Sequence, residues 1–416
     1  MKSLGMFRAV SVALVASMAV MLSGCGASSA ASSQESGQHV AQTLNSRKDK
    51  ATDVSGTHVS VGRVPIDSAM MVSPLDGWGW SLNKLGLWRT QDGANHWTPI
   101  QLPFKATAIK NQFPTQVAFD PINSTTIWVA VVTKHGDEIY RTTDGGQRWK
   151  QQAPVQTKDG IISLLQFSSP THGWLITDSG IGMHQATYHL YQTIDGGAAW
   201  KLISSSGKGQ HAIPSAGDGV FRFQNASTGW MTAQSLLNGR VSLYVTRNGG
   251  EAWKAQTLPF SSSYKNALIT TNTPTFSGNG RNGAGVMPVL FYGSGTHAST
   301  STVVYLTEND GRTWTPQKAL NTSLPVAVDF LNVSYGWATN APWSSNNPIL
   351  YRTSNAGKTW SIVSRSHELN NTIRLEFVSP QTGFAETMNP KTGAVGLAKT
   401  TNGGVSWTQC DMIDVG

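Results

Sequence analysis

The chemistry open to this sequence rests on few residues. Its 416 residues hold 23 Asp and Glu against 31 Lys and Arg, with ten histidines and two cysteines. Apart from one recurring turn, the acids are scattered, at Asp159, Asp178, Asp218, Glu251, Asp329, Glu368, Glu376 and Glu386 among others. Glycoside hydrolysis needs two carboxyl groups facing each other across a cleft, and the sequence pattern offers no such pair. His, Cys and Asp nowhere take metal-ligand spacing, so neither a metal nor another cofactor is expected. Cys410 has no base placed beside it and reads as a small apolar residue rather than a nucleophile. A net charge of +8 permits anionic partners without demanding nucleic acid.

The acids that do recur belong to a motif repeated seven times. Its form is Thr-x-(Asp/Asn)-x-Gly-x-x-Trp, with Asp92, Asp144 and Asp195 in the first three copies and Asn248, Asn309, Asn355 and Asn402 in the rest. The closing tryptophans are Trp97, Trp149, Trp200, Trp253, Trp314, Trp360 and Trp407, spaced by 52, 51, 53, 61, 46 and 47 residues. Ala94 is the one departure at the Gly position. The chemistry is that of a tight turn. Asp or Asn hydrogen-bonds nearby backbone amides, Gly supplies positive φ, and Trp opens the next strand and packs back over the turn. Because Asp and Asn interchange, a catalytic role for the acid reads poorly.

A second motif lies upstream, as in Asp76-Gly77-Trp78, His172-Gly173-Trp174, Thr228-Gly229-Trp230 and Tyr335-Gly336-Trp337, with Phe384 for Trp in the last unit. A short apolar strand precedes it, and Leu-Tyr-x-Thr or a variant leads into the turn. Each unit thus reads as strands A to D. Seven such units describe an all-β fold, a seven-bladed β-propeller of four-stranded antiparallel blades.

The repeated turns resemble the BNR or Asp-box family over about residues 60–410. With the Gly-Trp element and the count of seven, the chain resembles the photosystem II assembly-factor-like branch of WD40/YVTN/BNR-like repeat proteins. The resemblance implies a propeller with Asp-box turns. It carries function less far, because Asp-boxes recur in sialidases, xyloglucan-cleaving glycosidases and sortilin-type receptors. Of the sialidase elements, only Arg63-Val64-Pro65 is a near match, and it precedes the first blade.

The ends set the compartment. Lys2 and Arg8 precede an apolar stretch over residues 9–22, and Leu22-Ser23-Gly24-Cys25 resembles the lipobox of bacterial lipoprotein signal peptides. That resemblance implies cleavage before Cys25, a diacylglyceryl group on its thiol, and an extracytoplasmic protein anchored to the bacterial cell membrane. With Cys25 lipidated, no intramolecular disulfide can form. The expected organisation is a signal peptide over 1–25, a Ser/Ala/Gln-rich tether over 26–57 and the propeller over 58–416.

In four-stranded blades the A–B and C–D turns share one face, which holds the boxes. Binding is therefore expected on the opposite face, where the B–C and D–A loops lie. Lys105, Lys158, Lys208, Lys265, Lys318 and Arg365 fall in D–A connections and could form a basic ring around one mouth of the channel. Long loops are read over 180–189, 204–219, 272–285, 292–302 and 340–348, the last carrying Trp343 as a candidate stacking residue. The expectation is a monomeric, non-catalytic cell-surface scaffold that binds a protein, anionic polymer or glycan. The alternative is a secreted glycoside hydrolase of sialidase or xyloglucanase type.

Overall fold

The computed structural model describes residues 62–66, 68–81, 86–104, 117–133, 136–157, 161–182, 185–207, 212–214, 219–233, 242–265, 267–276, 283–292, 300–322, 326–340, 348–410 and 412–415. Seven antiparallel sheets follow one another along the chain, each one a blade. Strand A stands at one edge of each sheet, and the A strands of blades 2 and 3, 3 and 4, and 6 and 7 lie beside one another; strand D stands toward the other edge. Five blades have four strands. Blade 3 adds Ala212–Ile213, parallel to its strand D. In blade 5 the long B–C hairpin is flanked by a strand A in two pieces, Leu268–Thr271 and Thr275–Phe276, and a strand D in two pieces, Thr315–Pro316 and Leu320–Thr322.

The ring closes through its ends. Gly62–Pro65 pairs antiparallel with Met412–Val415, from Gly62 opposite Val415 to Pro65 opposite Met412. The segment before blade 1 is thus a seam strand.

Each of the seven boxes closes the same hydrogen-bonded turn. The Thr hydroxyl donates to the Asp or Asn Oδ1 at 2.8–3.0 Å and accepts from the backbone N–H four residues on at 2.8–3.1 Å. Oδ1 also accepts the backbone N–H four residues beyond itself, at 2.9–3.0 Å. The residue at the Gly position has a φ of 70 to 106° in all seven, Ala94 included. Glycine serves a second purpose there. A Cβ on Gly250 or Gly404 would come within 2.4 Å of Leu190 or 2.3 Å of Leu350 in the preceding blade. The boxes therefore pack against the blade before them as well as capping their own.

The Gly-Trp motif proves to be a device between blades. Trp128, Trp174 and Trp337 are fully buried. Each stacks on the strand-A phenylalanine of the next blade, Phe167, Phe223 or Phe377, at centroid distances of 3.8, 4.0 and 3.7 Å. Their indole N–H groups donate to Gly196, Gly249 and Gly403 carbonyls of the next box at 2.9, 2.9 and 3.1 Å. The box tryptophan of that blade meets the same ring edge-on, as Trp200 does Phe167. Arg141 and Arg352 cover the outer faces of Trp128 and Trp337, 4.6 and 5.5 Å from the ring centres. Offset and edge-on aromatic contacts add about 0.5–1.5 kcal/mol each beyond buried area.

Candidate functional site

Any site must use what the ring presents at its axis or on its two faces. Around the axis, strand A of each blade has a free inner edge, and unpaired backbone groups there must find partners. The next-to-last residue of strand A, which precedes Pro121 in blade 2 and a phenylalanine in blades 3, 6 and 7, supplies them. Asp120 accepts the Phe167 N–H of the next blade at 2.6 Å, and Asp329 accepts the Phe377 N–H at 2.7 Å. The Gln166 amide takes both backbone groups of Phe223, at 2.9 and 2.8 Å. Glu376 reaches the Met71 N–H at 3.5 Å.

Two arginines balance these carboxylates. Arg222 feels Asp329, Asp120 and Glu376, and Arg374 contacts Glu376 at 2.9 Å and Glu386 at 3.3 Å. Burial pushes Asp120 well above the usual carboxylate range, against the Phe167 N–H and Arg222. Burial likewise raises Glu386, partly offset by Arg374 and the Ala69 N–H. The inner acids thus latch one blade to the next. Asp329, Glu376 and Glu386 looked scattered in sequence, and the fold gathers them with Asp120, which sequence reasoning did not single out. The missed signal was the repeated polar residue beside the strand-A aromatic, as in Asp329-Phe330 and Glu376-Phe377.

On the face opposite the boxes the blades differ in height. Strands B and C run five residues in blades 1, 4 and 6. They reach Gly173–Gly182 and Gln185–Thr193 in blade 3, and Gly285–Tyr292 and Thr300–Thr307 in blade 5. Most of what the sequence read as loop over 180–189, and the ends of the 292–302 stretch at Tyr292 and Thr300–Thr302, are therefore hairpin strand, extended by cross-strand pairing that turn-rich composition conceals. Lys265 follows a single 3-10 turn before strand A of blade 5, and Lys318 follows strand D of that blade. Arg365 ends strand D of blade 6. All three are exposed. Lys105, Lys158, Lys208, Trp343 and Cys25 lie outside the described residues. Cys410 is half-buried and donates its S–H to the Leu397 carbonyl at 3.4 Å. Among the described residues no group of three or more His, Cys, Asp or Glu is placed to hold a metal.

With this geometry in view, a family model described as sortilin, neurotensin receptor 3, matches residues 85–228. No curated protein matches the chain in sequence. Among solved structures, the chain is similar in fold to YCF48. The complex described as YCF48 bound to D1 peptide is 16% identical, with a TM-score of 0.50, over 82% of this chain and 94% of that one. YCF48 from Cyanidioschyzon merolae is also 16% identical at a TM-score of 0.50, over 77% and 92%. A GH74 xyloglucanase from Xanthomonas campestris is 13% identical with a TM-score of 0.54, over 85% of this chain but only 55% of its own. At such identities the likeness is one of fold. That fold carries both a peptide-bound protein and a glycosidase.

Proposed function

We propose that this chain is a non-catalytic binding scaffold, anchored outside the cytoplasm through lipid on Cys25, which engages a protein or anionic polymer on the face opposite the boxes. The observation that carries the reading is the state of the inner carboxylates. Asp120, Asp329, Glu376 and Glu386 are held by backbone amides of the next blade, so none faces a partner acid across open space. The opposite face supplies uneven hairpins and the exposed cations Lys265, Lys318 and Arg365. The peptide complex of YCF48 supports a protein segment as the ligand class.

The test uses the detergent-extracted full chain against immobilised polyglutamate and a purified anionic wall polymer, at low and moderate salt. The triple change Lys265→Glu, Lys318→Glu and Arg365→Glu should weaken binding at least tenfold; equal binding defeats the loop-face reading. Steady release of reducing sugar from xyloglucan or of sialic acid from sialyllactose would replace the scaffold with the hydrolase. For the anchor, Cys25→Ala should abolish labelling by radioactive palmitate and release the protein to the medium.

A further inference from the structure

The box face carries a hollow of about 380 Å³ between blades 2 and 3. We propose that it binds a negatively charged sugar unit, independently of any ligand on the opposite face. Its walls are Arg141, Arg148, Trp149, Lys150 and Gln152 of blade 2, with Ala198 of the blade 3 box across from them.

One departure from the repeat and one side-chain orientation open it. Between Gly and Trp the boxes carry Asn95-His96, Gln147-Arg148, Glu251-Ala252, Arg312-Thr313, Lys358-Thr359 and Val405-Ser406, whereas blade 3 alone has two alanines, Ala198-Ala199. The far wall is therefore stripped to methyl groups. On the near side, Gln152 holds the third place after the box tryptophan, where Ile100, Ile203 and Val363 stand in blades 1, 3 and 6. In blade 4 the matching Gln256 donates to the Gly311 and Arg312 carbonyls of the next box, at 2.7 and 3.1 Å, and ties that interface shut. Gln152 instead turns its amide back to the Lys150 carbonyl at 3.1 Å, as Gln317 of blade 5 does to the Thr315 carbonyl.

The polar inventory points to an anion. Both wall acids are already engaged within their turns. Asp144 accepts from the Thr142 hydroxyl and from Arg148, through both its backbone N–H and Nε, and these bonds lower its carboxyl to about 2. Asp195 accepts from the Thr193 hydroxyl and the Ala199 N–H. With Arg148 paired to Asp144, Lys150 and Arg141 are the wall cations outside an ion pair. Lys150 and Arg148 are exposed, while Arg141 is fixed over Trp128 with its Nε buried and unpartnered. A half-buried indole with planar guanidinium and amide groups suits a pyranose ring, and the cations suit its carboxylate. The volume lies within the range of small-ligand pockets, about 300–1,000 Å³.

The experiment is calorimetric titration of the full chain in detergent with hyaluronan tetrasaccharide, neutral chitotetraose and a hexaglutamate peptide. Hyaluronan tetrasaccharide should bind, and chitotetraose should bind at least tenfold more weakly. Lys150→Glu and Ala198→Phe, both at exposed positions, should each weaken binding at least tenfold, while the Lys265, Lys318 and Arg365 triple variant should leave it unchanged. No heat at millimolar sugar, equal binding of chitotetraose, stronger binding of hexaglutamate, or indifference to either single variant overturns the proposal.

Discussion

The interface between blades 6 and 7 and the seam between blades 7 and 1 do the same work by different chemistry. At the first, Trp337 lies flat on Phe377 and donates to Gly403, while Asp329 caps the Phe377 N–H. At the seam the two places are taken by Phe384 and Met71, neither of which carries an indole N–H to donate to the next box. Charges stand in for it. Ala69 donates to Glu386 at 3.0 Å and its carbonyl accepts from Arg374 at 2.7 Å, so one inner-strand residue is gripped on both sides. A stack is tolerant of which blade supplies the ring. A buried Arg–Glu clamp is not, because a mispaired blade would strand a charge. The seam is the one place where no connecting loop dictates which blades meet, and specific charges are found there.

That contrast can be broken in order of severity. Trp337→Ala should cost about 3–5 kcal/mol, as for other buried tryptophans, measured by urea unfolding of the full chain; a loss under 1 kcal/mol would mean the stack is dispensable. Arg374→Met strands Glu376 and Glu386 and should cost about 3 kcal/mol, with recovery on adding Glu386→Gln. The Trp337→Ala loss should show no such rescue.

A third test turns on pH. Asp137 is fully buried between blades 2 and 3 and is pushed up to about 7 by burial, against an opposing hydrogen bond from Thr157. Its folded value lies above its unfolded one. The folded state therefore keeps a proton that the unfolded chain has lost. Stability is full below about pH 4 and falls as pH rises toward 7, by at most about 1.4 kcal/mol per unit. Asp120 and Glu386 are raised too and act in the same direction. Melting temperature should drop between pH 4.5 and 7.5, and Asp137→Asn should flatten the slope; an unchanged slope would exclude Asp137 as its source.

The smallest effect concerns the boxes. In two of the three Asp boxes the residue four on, His96 or Arg148, contacts the carboxylate, whereas Asp195 has Ala199 there. In three of the four Asn boxes Thr313, Thr359 or Ser406 accepts the amide N–H at 2.8 Å, whereas Asn248 has Ala252. Asn355→Asp should therefore lose under about 1 kcal/mol, and Thr359→Lys should restore it.

This pairing was legible in the sequence, since the matching residues are four apart, yet interchange of Asp and Asn read as indifference. The blades were legible for the same reason. Turn, strand and box fall within one repeat, and local physics fixes them. The latches were not, because their partners sit a full repeat away: 68 residues separate Trp128 from Gly196, and 317 separate Ala69 from Glu386. Strand A of blade 5 was missed in part. Thr275–Phe276 lies in a stretch whose Thr, Asn and Gly read as insertion, yet Phe276 holds the aromatic place and stacks on Trp230 at 4.9 Å. The hollow at Ala198 escaped notice because it is built from what two boxes lack.

The pairing of Gly62–Pro65 with Met412–Val415 makes the molecule a circle cut at one point. A circle can be cut elsewhere. Linking those neighbouring strands and opening the chain between blades 3 and 4 would yield a permuted ring with every latch intact. It would also carry the chain ends away from the seam, so that a pull on them no longer fell first on four residue pairs.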